Sequence, residues 1–324
     1  MEKFFEKWQS PINEVVLGGG KNTARIGGAQ SLPFVKGEGN PGNPPIFALE
    51  ISDIPPVFRP EPLKDVWGDV WDDPSRWAKK AVSVYGSDAI CLRLKSAHPD
   101  FLDRSPEDCA RIVSRVAEVV PDTPLIVIGC ELPSKDIQVI PAVSRALKGK
   151  NALLGIVTKD NYKPITSAAL ADGHNIISEA PVDINLAKQL HILLSSECGF
   201  PVEKIVLHQT TGALGYGYEY CYTIMEKTRL AGLQGDSMLA VPMINFVGAE
   251  CWKLKESVTP DATNSGGGGD VAPPEWGSYK TRGIIWETVC GAAYLQGGAD
   301  VVVMYHPEAL KAVRKISQRL LAKE

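Results

Sequence analysis

The sequence contains none of the long apolar segments typical of membrane proteins. Its 324 residues include no run of about 20 apolar residues, the length that a helix needs to cross a bilayer. The first residues mix charged and aromatic side chains and form no apolar secretion signal. The formal net charge is −4, so no overall basic excess would attract nucleic acid or anionic lipid. We therefore expect a cytoplasmic protein that binds neither membranes nor nucleic acids.

Closely spaced cysteines are also absent. The seven cysteines are dispersed, and the nearest pair is Cys91 and Cys109. A C-x-x-C metal site, a redox dithiol and an iron–sulfur motif all require shorter spacings. Several cysteines, such as Cys91 and Cys130, lie in apolar stretches, where a thiol behaves as a small hydrophobic group. We predict buried, reduced thiols and no iron–sulfur cluster held by this chain.

Short apolar runs alternate with segments of helical periodicity along most of the chain. The eight runs are residues 46–51, 89–94, 125–130, 152–157, 175–178, 205–208, 238–244 and 301–305. The eight helical segments are residues 74–85, 105–119, 135–147, 162–172, 183–196, 219–233, 279–295 and 307–321. Most runs are apolar at every position, which is typical of parallel strands buried on both faces. The pattern predicts an α/β fold, a (β/α)8 TIM barrel over residues 45–324.

A doubly wound open sheet is the competing fold. It would carry a glycine fingerprint after its first strand, but residues 50–56 read EISDIPP and cannot cradle a pyrophosphate. The closed barrel is therefore the preferred prediction.

Two segments lie outside the barrel pattern. Residues 1–44 form an N-terminal extension whose runs at 14–20 and 23–28 are expected to pair as a hairpin covering the bottom of the barrel. A phosphate-binding loop is disfavoured there because no helical segment follows the glycines. Residues 257–276, which include Gly266–Gly269, form a long loop that is either a functional flap or a spacer.

TIM barrels carry their functional residues at the carboxyl ends of the strands. In this sequence those positions are Asp53, Lys95, Glu131, Lys159, Asn161, Glu179, residues 208–217, residues 245–250, Tyr305 and His306. Only two of the five histidines are among them, which argues against a metal hydrolase. Lys159 would serve a Schiff-base aldolase, although a solvated lysine opening a loop has the same pattern. Asp172 and His174 copy half of a D-x-H-x-x-G cobalamin motif, and we interpret that match as coincidence.

The most informative segment follows the sixth predicted strand. Residues 207–220 read LHQTTGALGYGYEY, with glycines at 212, 215 and 217 among aromatic residues. Glycines let a backbone approach a flat ligand while the rings pack beside it. A structural turn between strand and helix would look similar, so both interpretations stay open.

Seven segments stand out when they are taken together: NIISEAPVDINLAKQL at 175–190, GALGYG at 212–217, IMEKTRL at 224–230, LQGD at 233–236, VGAECW at 247–252, GIIWE at 283–287 and HPEA at 306–309. In combination they resemble the small subunit of the corrinoid iron–sulfur protein, a family that includes the acetyl-CoA decarbonylase/synthase delta subunit. The archaeal delta subunit is a longer chain, so the length favours the bacterial type.

The resemblance implies a barrel subunit that forms a heterodimer with a large subunit carrying a [4Fe-4S] cluster and a corrinoid of the cobalamin type. This methyl carrier accepts a methyl group from methyltetrahydrofolate through a methyltransferase. It delivers the group to acetyl-CoA synthase in the reductive acetyl-CoA (Wood–Ljungdahl) pathway of anaerobic carbon fixation. The small subunit catalyses no reaction alone, and its barrel mouth covers the corrinoid at the subunit interface.

The positions after strands 6 and 7 suggest which residues lie near the corrinoid. We expect them to be Thr211, Gly212, Gly215, Tyr216, Asn245 and Glu250. We predict no catalytic residue and no metal ligand in this chain. The main alternative is a free-standing pterin-dependent corrinoid methyltransferase using Asp53 and Asn245, and a ligand-free scaffolding barrel is a third interpretation.

Overall fold

The computed structural model describes residues 5–19, 21, 23–57, 59–264 and 270–322. Residues 266–269 of the long loop therefore lie outside the described residues. The strands are β1 Glu14–Leu17, β2 Ala24–Gly27, β3 Ile46–Ser52, β4 Ala89–Arg93, β5 Leu125–Ile128, β6 Leu153–Val157, β7 Asn175–Glu179, β8 Ile205–His208, β9 Ile244–Phe246 and β10 Val301–Met304. The α-helices are α1 Glu61–Trp67, α2 Pro74–Ser83, α3 Pro106–Val119, α4 Pro133–Ala146, α5 Tyr162–Asp172, α6 Ile184–Cys198, α7 Tyr218–Leu233, α8 Val247–Cys251, α9 Lys255–Val258, α10 Tyr279–Gln296 and α11 Pro307–Leu321.

Strands β3 to β10 form one parallel sheet that curls into a nearly closed barrel. The order around the barrel is β8-β7-β6-β5-β4-β3-β10-β9. The two ends meet where Leu207 in β8 forms a parallel bridge with Met243 and donates its N–H to the Pro242 carbonyl at 2.9 Å. The predicted (β/α)8 barrel is therefore confirmed.

The seventh strand of the barrel differs from its prediction. The apolar run at 238–244 was expected to be extended throughout, but β9 occupies only Ile244–Phe246. Pro242 has no N–H to donate to a ladder, so the ladder does not continue through it.

Three short helices, α1, α8 and α9, had no periodic signal and were not predicted.

The N-terminal segment closes one end of the barrel. Strands β1 and β2 pair antiparallel, and Val15, Leu17 and Ile26 are buried against the apolar side chains that fill the barrel interior. Side-chain amides of Asn151 and Asn175 donate to the Val16 carbonyl at 2.7 and 3.0 Å. Asn175 begins β7, so the hairpin seals the end at which the strands start.

No helix within the described ranges is both long and apolar enough to cross a membrane. The seven cysteines carry free thiols, and all but Cys198 are buried, which confirms the prediction of buried thiols for the other six.

Candidate binding site at the barrel mouth

The mouth of the barrel, where the parallel strands end, contains a buried ion pair. Glu50 in β3 and Arg93 in β4 have side chains that are 3% and 7% exposed. Arg93 Nε lies 2.6 Å from Glu50 Oε1, and Arg93 Nη2 lies 3.1 Å from Glu50 Oε2. This two-point contact holds the guanidinium flat across the interior.

The guanidinium of Arg93 also contacts residues at the edge of the barrel mouth. Its Nη1 lies 2.5 Å from Glu131 Oε1, and its Cζ lies 5.5 Å from the centre of the Phe246 ring. Burial opposes the charge of Arg93, but the carboxylates of Glu50 and Glu131 outweigh it and hold the pKa of Arg93 well above its usual value. Tyr305 donates its hydroxyl to Glu50 Oε1 at 3.1 Å, and burial raises the pKa of that phenol.

A second chain of hydrogen bonds starts at His208, at the end of β8. Its Nδ1 lies 2.8 Å from Glu179 Oε1, and its Nε2 lies 3.2 Å from the Thr211 hydroxyl. Thr211 Oγ1 also accepts from the backbone N–H of Phe246 at 3.0 Å and from Asn245 Nδ2 at 3.3 Å. Both ring nitrogens of His208 are therefore engaged within the protein.

The glycine-rich loop after β8 is held in place by a tyrosine of helix α10. The Tyr294 hydroxyl accepts from the Gly212 N–H and donates to the Gly212 carbonyl, each at 2.7 Å. A Cβ on Gly212 would lie 2.9 Å from the Tyr216 carbonyl oxygen, so the loop closes tightly on itself at this position. Gly215 is exposed with φ of +77°, a conformation that favours glycine.

The six residues expected near a corrinoid occupy different places. Thr211 and Glu250 line a mouth cavity of about 360 Å³ together with Arg93, Glu131, Glu179 and His208. Tyr216 is 46% exposed and donates its hydroxyl to Glu256 at 2.6 Å, beside the mouth. Asn245 is buried behind Thr211, and its Oδ1 has no hydrogen-bond partner among the described residues. Gly212 is buried and Gly215 lies at the exposed tip of the loop.

Two other residues considered from the sequence, Lys159 and His174, make contacts that do not suit the catalytic or cofactor roles considered for them. Lys159 is exposed and donates to Gln189 Oε1 at 2.7 Å, so it lacks the apolar pocket of a Schiff-base lysine. His174 is buried, accepts from the Ala152 N–H at 3.1 Å, and contacts the Ser144 carbonyl at 2.9 Å. Within the described residues, no three His, Cys, Asp or Glu side chains gather as a metal-binding group.

The comparisons with known proteins agree with this architecture. A family model described as the CO dehydrogenase/acetyl-CoA synthase delta subunit matches residues 14–320. The chain belongs to this family. It is 32% identical to the acetyl-CoA decarbonylase/synthase complex subunit delta of Methanosarcina mazei, covering 97% of this chain and 72% of the relative. It is 33% identical to the subunit delta of Methanothermobacter thermautotrophicus, covering 95% of this chain and 75% of the relative.

Solved structures with the same fold include dihydropteroate synthases. The enzyme from Xanthomonas albilineans superposes with a TM-score of 0.56 at 13% identity, covering 97% of this chain and 100% of that one. The enzyme from Vibrio fischeri gives a TM-score of 0.58 at 12% identity, covering 96% and 99%. At this identity the likeness shows the TIM-barrel fold alone.

The Glu50–Arg93 pair of this delta-family barrel was not among the sequence candidates. Each residue is a single charge inside an otherwise apolar strand, IFALEIS for β3 and AICLR for β4. A charge in a strand that is buried on both faces requires a partner, so these two residues could have been recognised from their position.

Proposed function

We propose that this chain is the barrel subunit of a methyl carrier, and that its mouth covers a corrinoid held mainly by a larger partner subunit. The carrier would receive a methyl group from methyltetrahydrofolate through a methyltransferase and deliver it to acetyl-CoA synthase. Membership of the delta-subunit family supports this proposal.

The observation that carries the proposal is the mutual pairing of the charged groups at the mouth. Arg93 is paired with Glu50 and Glu131, and His208 lies between Glu179 and Thr211. A general base needs a free position within hydrogen-bond reach of the proton that it removes. These side chains are instead occupied by one another, which suits a surface that binds and shields better than one that transfers protons.

The residues at the mouth fit a corrinoid that is covered from one side. A corrinoid carries amide side chains on its rim, and the mouth offers carboxylate acceptors in Glu131 and Glu250. The cavity of about 360 Å³ has room for part of the group only, so the partner subunit would hold the remainder. When bound, the corrinoid supplies the cobalt centre that carries the methyl group.

The histidine at the mouth, His208, is not free to bind cobalt because of the hydrogen bonds that it already makes. Both nitrogens of His208 are engaged, and the ring packs edge-on against Phe246 with ring centres 4.9 Å apart. We therefore propose that His208 contributes to the protein's cover over the corrinoid and is not a metal ligand. The [4Fe-4S] cluster is assigned to the partner, because such a cluster needs four thiolates and the cysteines here are dispersed.

The rival function is a pterin-dependent methyltransferase that would use Asp53 and Asn245. Asp53 Oδ1 accepts from the Ser96 N–H at 3.0 Å, and its other oxygen accepts the Ser96 hydroxyl. Asn245 donates to Thr211. Asp53 is buried with both oxygens paired, and Asn245 is buried behind Thr211, so neither side chain lines the mouth cavity where a pterin would bind.

Reconstitution with the large subunit tests the proposal. The purified chain is added to corrinoid-loaded large subunit, and the visible spectrum and complex formation are followed. A mouth that covers the corrinoid changes its absorption on assembly. A chain that binds without a spectral change would be a scaffold, and a chain that alone methylates free cobalamin from methyltetrahydrofolate would be the rival enzyme. Either result refutes the proposal.

A charge reversal at each end of the barrel provides matched variants. Glu250→Arg changes the mouth, whereas Asp122→Arg changes an exposed carboxylate near the hairpin end. We expect Glu250→Arg to weaken assembly and to reduce the spectral change, and Asp122→Arg to leave both as in the wild type. If Asp122→Arg weakened assembly and Glu250→Arg did not, the partner subunit would bind at the hairpin end of the barrel and the proposal would be refuted.

A further inference from the structure

A second and larger cavity adjoins the mouth, and no step of the proposed function uses it. It has a volume of about 530 Å³, within the range of small-molecule sites. It lies between the β3–α1 loop, helices α1 and α2, and the segment around α8. Its walls are mainly apolar and include six aromatic residues, Trp67, Trp71, Trp77, Phe101, Trp252 and Tyr305.

The aromatic walls are fixed in place by the protein. Trp67 donates its indole N–H to the Tyr305 carbonyl at 2.9 Å, and its ring centre lies 5.8 Å from that of Trp77. Trp252 donates to the buried carboxylate of Glu287 at 2.8 Å and stacks on the His306 ring. Rings held in this way lose little conformational freedom when a planar ligand packs against them.

The buried indole N–H of Trp77, in these walls, has no partner among the described residues. Trp77 is 5% exposed, and its indole N–H makes no hydrogen bond among the described residues. A buried donor without an acceptor costs roughly 1–3 kcal/mol. An oxygen acceptor that reached this N–H would remove the cost.

The charged residues that line this cavity are two lysines, Lys95 and Lys253, and one carboxylate, Glu50. Lys95 also lines the mouth cavity, and its ammonium group makes no ion pair or hydrogen bond within the described part of the chain. Lys253 is paired with Glu250, and Glu50 with Arg93, whereas the carboxylates of Glu131 and Glu179 line the adjoining mouth cavity. Arg59 adds a further cation over the Trp71 ring, 5.7 Å from its centre.

We propose that this cavity binds a small, flat aromatic anion, with its rings among the tryptophans and its carboxylate or sulfonate at Lys95. Flat rings complement the aromatic walls, and a single negative charge complements the unpaired ammonium. A neutral aromatic molecule would leave Lys95 unpaired, and an aliphatic acid would make poorer contacts with the rings. The cavity shares Lys95 and Tyr305 with the mouth cavity, but its tryptophans lie outside the mouth lining, so binding there can be measured on this chain without the corrinoid.

Calorimetric titration of the full chain with 2-naphthoate tests this site, and 2-naphthalenemethanol serves as the uncharged probe of matching shape. We expect saturable binding of naphthoate at one site per chain. Loss of one charge-assisted contact should weaken binding about tenfold, both for the alcohol and for naphthoate with Lys95→Met. Absence of saturable naphthoate binding, or equal affinity for the two probes, would overturn the proposal.

Val57 provides variants that change charge without disturbing packing. This residue lines the cavity and is 83% exposed. Val57→Asp should weaken naphthoate binding, and Val57→Lys should strengthen it, whereas Val84→Asp, at a 64% exposed residue outside the cavity, should have no effect. Equal affinities for the three variants would show that naphthoate binds elsewhere, even if Lys95→Met were misfolded.

Discussion

The buried pair at the mouth allows a quantitative test of the structure. Glu50→Gln keeps the shape of the side chain but removes the charge that faces Arg93. At about 3 Å and an effective dielectric constant of about 20, two unit charges attract by roughly 5 kcal/mol. The substitution leaves Arg93, 7% exposed, with only the partly exposed Glu131 as a partner. Removing one member of a buried pair costs about 3–5 kcal/mol, so we expect a loss of that size in the free energy of unfolding.

Glu131→Gln is the matched control because it makes the same chemical change beside the same guanidinium. The Glu131 side chain is 63% exposed, so solvent screens its attraction to Arg93. Exposed ion pairs contribute about 0–1 kcal/mol, and we expect a loss in that range.

Urea denaturation followed by circular dichroism measures both variants, and Arg93→Met completes a double-mutant cycle with Glu50→Gln. The double variant should lose less stability than the sum of the two single variants, by about 1–3 kcal/mol. Equal losses for Glu50→Gln and Glu131→Gln, or additive losses in the cycle, would refute the claim that burial gives this pair its strength.

Three further changes test other parts of the fold. Burial raises the pKa of Glu287 from 4.5 to about 7, so its stabilising contribution is present below pH 4.5 and is lost as the pH rises through 7. Urea titrations at several pH values should therefore show the wild type losing about 3 kcal/mol of unfolding free energy relative to Glu287→Gln over this interval. Burial lowers the pKa of His191 from 6.5 to about 4, so wild type should lose about 3 kcal/mol relative to His191→Gln as the pH falls between these values, and parallel pH profiles would contradict the assignment. Leu17→Ala, in the hairpin, should cost about 2–5 kcal/mol in the same assay because Leu17 is fully buried, and a loss below about 1 kcal/mol would mean that the hairpin does not close the barrel.

The barrel could be predicted because its strands are buried on both faces. A parallel strand with helices on one side and the barrel interior on the other has few polar positions, so β5 reads LIVI and β10 reads VVVM. These runs recur eight times with helical segments between them, which few folds other than a TIM barrel accommodate. The predicted bounds of the seventh strand were wrong, because most of the run at 238–244 is buried without belonging to a strand and therefore has the same apolar pattern.

The arrangement of the mouth could be predicted only in part. Strand ends gave Glu131, Glu179, His208 and Thr211 as candidates, and the structure brings all four to one cavity. The contact between Glu50 and Arg93 depends on the register of β3 and β4, in which Glu50 is opposite Cys91 and Arg93 is opposite Ser52. Register between parallel strands joined by a long crossover has no local signal in the sequence, so the sequence can single out the two buried charges but cannot show that they pair with each other.

The two ends of the barrel differ in a way that limits where a ligand can act. At the hairpin end, Val15, Leu17 and Ile26 pack against apolar residues of the barrel interior. At the mouth, Glu50 and Arg93 pair with each other inside the barrel. A ligand that approaches from the mouth therefore meets a layer in which these two charges are already paired. Such a layer can hold a neutral, amide-bearing surface in position without supplying a proton, whereas the unpaired Lys95 beside it favours a ligand that carries its own negative charge.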